Sequence, residues 1–158
     1  MVLSLSSPLS IYAIPAMWVV SYYPGFKKGF TMRKAGSFNN IQPRSNVARL
    51  SEKKDVPPEL VDRLARMEGA HLNGLENLPF FGLAVLAGNY AGIDNYTLNK
   101  VSGLYILTRI LYNYIYINQT TQRWGGLRSI VWIISLGFPS YLFFKAAQLL
   151  SEKGSSLP

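Results

Sequence analysis

Arg63-Leu64-Ala65-Arg66-Met67-Glu68-Gly69-Ala70-His71-Leu72-Asn73-Gly74-Leu75-Glu76-Asn77-Leu78-Pro79-Phe80-Phe81 opens as a charged helix start and runs on into an almost wholly apolar segment, 82–92. His71, Asn73, Glu76 and Asn77 lie between the two halves. A helix of this kind carries polar groups below a membrane surface. Such groups are costly in hydrocarbon and turn toward protein or a water-filled cavity. The site is therefore expected here.

The rest of the chain agrees with a bilayer. Of 158 residues, 49% are hydrophobic and only 15% charged. The charges are segregated: 1–26 carry none, whereas 27–54 hold eight Lys/Arg against one Glu. Apolar spans alternating with basic loops are the pattern of a membrane protein. The net charge of +8 could mean nucleic acid. The cations sit beside apolar spans, however, so an anionic leaflet or a small anionic ligand is the expected partner and nucleic acid is not. There is no cysteine, which removes disulfides, thiolate metal sites and a cysteine nucleophile. Thiol chemistry would need a thiol brought by the substrate. A single His71 offers no metal pair, and no metal is expected.

The sequence predicts an all-α, four-span bundle in one domain covering 1–158, with spans at about 3–24, 60–91, 100–118 and 127–150. Segment 25–58 is predicted as a basic cytoplasmic loop, ending at Pro57-Pro58 before a helix start. Pro8 and Pro15 fall within the first span, which lacks a preceding positive charge and an A-x-A-like site and is expected to be a retained anchor. Gln119 to Gly126 is predicted as a polar turn, and the tail 151–158 as disordered. Short connections make the bundle up-down-up-down. The first and third loops are basic and stay cytoplasmic, so both termini face the lumen. Of two glycosylation sequons, at Asn95 and Asn118, only the first would be lumenal, and it lies too close to the membrane to be used.

Angular positions sort the polar residues. With Arg66 at zero, Asn73 falls at about −20°, Asn77 and Glu59 at about +20°, Glu76 at about −80° and His71 at about 140°. His71 is thus expected as a helix contact. On the third helix, with Arg109 at zero, Tyr116 falls at about −20°, Asn113 at about +40° and Tyr112 at about −60°. Arg109 lies about 14 Å from the end of that helix, and Glu76 at a similar depth. Opposite charges at equal depth predict a structural Glu76–Arg109 ion pair. Arg66, Asn73, Tyr116 and Arg128 converge at the cytoplasmic end, a donor-rich cluster suited to a ligand with several carboxylates.

Arg66-(x)4-His71-x-Asn73-x-x-Glu76-Asn77-x-Pro79-Phe80, followed by Arg109-x-x-Tyr112-Asn113-x-x-Tyr116, resembles the family of membrane-associated proteins in eicosanoid and glutathione metabolism (MAPEG). The likeness is closest to its short members and to the microsomal glutathione transferases. It covers about 59–150, and more faintly the first span and Gln42-Pro43-Arg44. The resemblance implies a homotrimer in the endoplasmic reticulum, with the mitochondrial outer membrane as the alternative. It implies glutathione as cosubstrate at each subunit interface, near the cytoplasmic side, with Arg66, Asn73, Glu76, Tyr112, Asn113 and Tyr116 as the candidate binding set. Arg128-Ser129 resembles the pair at the start of the family's fourth helix, where the arginine stabilises the glutathione thiolate; Arg123 is the rival. Family members usually carry an arginine where this chain has Gly69, and some prostaglandin-type members carry another where it has Leu72.

A free thiol near pKa 8.5 is little ionised at neutral pH. An arginine beside the sulfur favours the thiolate. The expected activity is therefore a glutathione-dependent transferase or peroxidase acting on hydrophobic electrophiles or lipid hydroperoxides. The alternative, which Gly69 and Leu72 favour, is a non-enzymatic lipid-binding or scaffold member of the same fold.

Overall fold

α3 (Pro58–Ala91) is the helix against which the others pack. Pro58 begins it, where a missing N–H costs nothing, and Glu59 sits in the positive first turn. Gly92 ends it in the left-handed region, with φ 83° and ψ 34°. There the Ile93 N–H donates to Gly88 O at 3.0 Å, closing the last turn. The computed structural model describes residues 4–53 and 55–155. Among these there is no strand. The other helices are α1 (Ala13–Lys34), α2 (Asn46–Ser51), α4 (Asn95–Asn118) and α5 (Gln122–Ser155), with short 3-10 turns at Ser10–Tyr12 and Pro43–Ser45.

Named contacts fix the helix directions. Asn89 reaches Ser10 at 3.0 Å, Ser21 approaches Gly74 O at 3.2 Å and Lys28 pairs with Glu68 at 2.9 Å, so α1 runs against α3. A Cβ at Gly74 would lie 2.9 Å from Ser21 Cα, so the small residue sets how closely these helices approach. Arg66 to Ile117 O (3.1 Å) and Arg109 to Asn73 (2.7 Å) set α4 against α3. Phe80 meets Phe143 at 5.3 Å between ring centroids, and Lys153 reaches Ala91 O at 2.9 Å, so α5 runs with α3. Asp94 caps α4, accepting the Thr97 N–H at 2.8 Å, and that hydrogen bond holds its carboxyl below the usual range.

Five expected boundaries move. Pro8 precedes the 3-10 turn at Ser10–Tyr12 and lies outside the first helix, which starts at Ala13, and α4 starts at Asn95 rather than 100 because Asp94 caps it there. α1 continues ten residues past position 24, with Pro24 inside it, to Lys34. Its basic turns stay helical because the long side chains lie back along the helix: Lys27 over Tyr23 at 5.7 Å and Lys34 over Phe30 at 4.7 Å. Arg33 and Lys34 also complement the negative helix end, and Gly36 (φ 62°) stops it. The expected loop is further shortened by α2. α5 starts at Gln122, running through Gly125-Gly126, and extends to Ser155, so the described part of the tail is helical rather than disordered. Residues 156–158 and 1–3 of that reading lie outside the described residues.

Burial follows the pattern of a chain surrounded by hydrocarbon. Phe81 stacks on Tyr105 at 4.2 Å in a core with Met17, Val85 and Leu142. Polar Arg109 (1% exposed) and Ser135 (0%) are also inside, while Phe144 (78%) and Ile133 (63%) face out. Water would penalise that outer face. α5 has the length and composition to cross a membrane, with mean hydropathy 1.5.

Candidate functional site

The polar residues of α3 and α4 form a ladder. Asn73 is its centre. Its Oδ1 accepts from Arg109 Nη2 at 2.7 Å, and its carbonyl accepts from Asn77 Nδ2 at 2.8 Å. Arg109 also lies over the Tyr112 ring at 4.3 Å, and Tyr112 meets Tyr116 edge-on at 5.6 Å. Arg128, one turn and a half into α5, lies over the Tyr116 ring at 4.7 Å. A continuous run of cations and aromatic faces thus leads from the buried guanidinium to the α4–α5 connection.

At that connection a polar pocket of about 400 Å³ is lined by Arg66, Gln119, Thr120, Gln122, Gly125 and Arg128. Two guanidinium groups and no carboxylate line it, which suits an anion. Arg66 is aimed by its bond to Ile117 O, Arg128 by the face of Tyr116. Arg123, on the first turn of α5, is exposed and does not line the pocket. Ser129 is exposed, and its hydroxyl donates to Gly125 O at 3.2 Å on its own helix.

Several predicted site residues are not brought together. The Glu76–Arg109 ion pair does not form within the chain. Arg109 takes Asn73 instead, its Nε and Nη1 have no hydrogen-bond partner, and Glu76 is exposed. Equal depth matched the two along the helix axes, but Glu76 sits about 80° around α3 from the face that meets α4. Asn113 also leaves the set: its amide donates to Val20 O at 2.8 Å, on the α1 side of α4. His71 is a helix contact, its Nδ1 2.9 Å from Ser21 O and its ring edge-on to Tyr22. Among the described residues no group of His, Asp or Glu could hold a metal.

Two features escape sequence reasoning. First, a Cβ on Gly69 would lie 2.5 Å from the Tyr116 hydroxyl, so Tyr116 occupies the space a side chain at 69 would need. The glycine amid charged residues was the available signal. Second, a larger cavity of about 970 Å³ lies on the opposite face of α3, lined by Tyr22, Lys28, Arg33, Arg44, His71 and Leu72 among others. Helical phase explains the division: Arg66 and Asn73 share one face, whereas His71 and Leu72 point about 120° or more away.

A helical chain with apolar outer faces and a polar pocket lined by two arginines is, by class, a membrane protein. A model of the MAPEG family matches residues 7–148, nearly the whole chain, and the chain belongs to that family. It is a membrane family of glutathione and eicosanoid metabolism. No curated protein and no solved structure matches the chain.

Proposed function

We propose that the protein is a membrane-embedded glutathione-dependent transferase or peroxidase for hydrophobic substrates, with Arg128 as the thiolate-stabilising group. The observation that carries this is the pair Arg66 and Arg128 on one polar pocket, Arg128 held over Tyr116 at 4.7 Å. Glutathione brings two carboxylates for such cations and the thiol the chain lacks. Arg128 beside the sulfur lets the thiol lose its proton to water. In conjugation the sulfur then forms a bond to an electrophilic carbon, and the leaving group takes the displaced electron pair. With a hydroperoxide, sulfur takes the terminal oxygen, the O–O bond breaks to leave an alcohol, and a second glutathione closes the disulfide with loss of water. The four long helices are read as four spans in the endoplasmic reticulum, up-down-up-down, with lumenal termini. A homotrimer would set the cavity on one face of α3 against the pocket on the opposite face of a neighbour's α3, with Glu76 at that border. Glutathione titration followed by thiolate absorbance tests the reading. Wild type and Arg123→Ala should develop the band and Arg128→Ala should not; a band retained in Arg128→Ala removes the assignment.

A second reading, a non-enzymatic lipid-binding member, is favoured by two observations. Tyr116 fills the space over Gly69, and Leu72 places an apolar side chain, 51% exposed, beside the larger cavity. No thiolate band at any glutathione concentration, with retention of a labelled fatty acid, would select it.

A further inference from the structure

Two neighbouring helices carry outward faces that begin and end in aromatic rings. On α4 the face runs from Tyr96 past Lys100 and Gly103 to Leu107, Ile110 and Tyr114, in steps of three and four residues. On α5 it runs from Trp124 through Leu127, Ile130, Ile134 and Gly137 to Tyr141, in the same steps. Every ring and aliphatic side chain in these two faces is 43% to 62% exposed, so none is spent on the core. The helices are antiparallel and joined by residues 119–121, which puts Tyr114 and Trp124 at one end. At the other end Lys145 joins Tyr141 (5.9 Å) to Asp94 (3.9 Å), two residues before Tyr96. The remaining long helices repeat both ends. Tyr12 and Tyr90 are exposed beside the Ser10–Asn89 bond, and Tyr23 borders the same groove as Tyr114. Lysines also sit on these rings: Lys27 lies 5.7 Å from Tyr23 and Lys100 5.9 Å from Tyr96. Lys100 belongs one turn further into the apolar face, and its ammonium reaches back to the ring at the border.

Tyrosine and tryptophan gather at both borders of a bilayer, where the ring lies in apolar surroundings and its polar tip meets water. A contact between copies gives no reason for rings at two matched heights on helices that run in opposite directions. The distance between the rings then measures the hydrocarbon. Tyr96 and Tyr114 are 18 positions apart, about 27 Å, and Trp124 and Tyr141 are 17 apart, about 26 Å. Arg128 and Lys145, which bracket the uncharged run of α5, are also 17 positions apart. Exposed Phe144 leans back toward Tyr141, as helical side chains lean toward the N-terminus. Any tilt shortens the projection further. We propose that the protein is matched to a thin bilayer, with hydrocarbon about 26 Å thick, and that the rings at the two ends of α4 and α5 set the match. The average bilayer is about 30 Å thick, the endoplasmic reticulum about 27 Å and the plasma membrane about 32–33 Å. This surface therefore sorts the protein among membranes without reading any headgroup. The proposal rests on the reading of α4 and α5 as spans and is independent of glutathione.

The test reconstitutes the full chain in phosphatidylcholine vesicles whose monounsaturated chains lengthen stepwise, covering hydrocarbon thicknesses of about 22 to 34 Å. The unfolding midpoint should peak in the bilayer nearest about 26 Å and fall by about 2–4 °C for each further step of about 3–4 Å. A peak displaced by a full step, or no peak, overturns the proposal. Tyr96→Leu/Tyr141→Leu removes two exposed rings, leaves the core intact and should flatten the peak. A peak unchanged in that variant overturns the role given to the rings. Because the chain has no cysteine, Leu107→Cys, near the middle of the α4 face, carries a single spin label. Strong contact with oxygen and little with a water-soluble nickel complex places the label deep in the bilayer, as expected. The reverse shows that α4 is not a span, and the proposal falls with that reading. A deep label with a displaced peak overturns the thickness match alone.

Discussion

Asn73 and Gly69 hold the site in shape, and neither needs to touch a ligand to do so. Arg109 is 1% exposed, and Asn73 is its only hydrogen-bond partner among the described residues. Removing one partner of a buried charge costs about 3–5 kcal/mol, whereas replacing the charge with an apolar group of similar volume costs far less. Asn73→Ala should therefore destabilise the protein more than Arg109→Met in reversible detergent unfolding; the opposite order would show that Arg109 draws its stabilisation elsewhere. At Gly69, a methyl group would press on the Tyr116 hydroxyl at 2.5 Å. Overpacking of this kind costs about 1–3 kcal/mol. Part of that loss should return in Gly69→Ala/Tyr116→Phe, and an additive double mutant would contradict the contact. The Arg66–Asn73 face was legible from angles along one helix. The Arg109–Asn73 bond and the Gly69–Tyr116 contact were not, because they depend on the rotation of α4 against α3. Depth matching supplies height but no azimuth, and so it joined Arg109 to Glu76, which lies about 80° around α3 from the face that meets α4.

Helix ends were legible where backbone chemistry decides them and obscure where side chains do. Pro57-Pro58 and Gly92 bracket α3, and the sequence marks both. The end of α1 was misplaced because Lys27, Lys28, Arg33 and Lys34 were read as loop, although long basic side chains lie readily back along a helix. The start of α5 was misplaced because Gly125-Gly126 was read as a turn, yet neither glycine has positive φ. Glycine's role can be tested at two positions. Gly92→Ala must place a Cβ at φ 83°, a cost of about 1–2 kcal/mol. Gly103, inside α4 with nothing within 4 Å of a built Cβ, should gain about 0.5–1 kcal/mol as Ala. Unfolding of the two variants should move in opposite directions, and a shared sign would refute the distinction. At the start of α4, the lowered Asp94 carboxyl stabilises the helix fully above the ordinary carboxylate value of 3.8, and that contribution fades as pH falls through the lowered value. Asp94→Asn keeps a cap but should lose this acid-side dependence, seen as a flatter midpoint against pH below 4. An unchanged slope would assign the dependence to another carboxylate.

For the molecule as a whole, the arrangement of charge about α3 decides what a single chain can do. Among the described residues α5 is the one helix long and apolar enough to cross a membrane, whereas α1, α3 and α4 carry more cations or amides. Arg66 and Arg128 line a pocket on one face of α3, and Lys28, Arg33 and Arg44 line the cavity on the other. One chain therefore cannot close both sets around one anion. A ring of copies joined by heterologous interfaces can, since each interface takes one face from each neighbour. This gives a test that a monomeric site fails. Arg128→Ala disables one face and Arg44→Ala, on the exposed 3-10 turn, weakens the other without touching the first. Each variant alone should give little glutathione thiolate. Co-expressed, the two chains should regenerate one intact interface in about four by random assembly, and so about a quarter of the wild-type signal. A signal no higher than the mean of the two singles would confine the site to one chain. That outcome would also leave the cavity beside His71 without a role in glutathione chemistry.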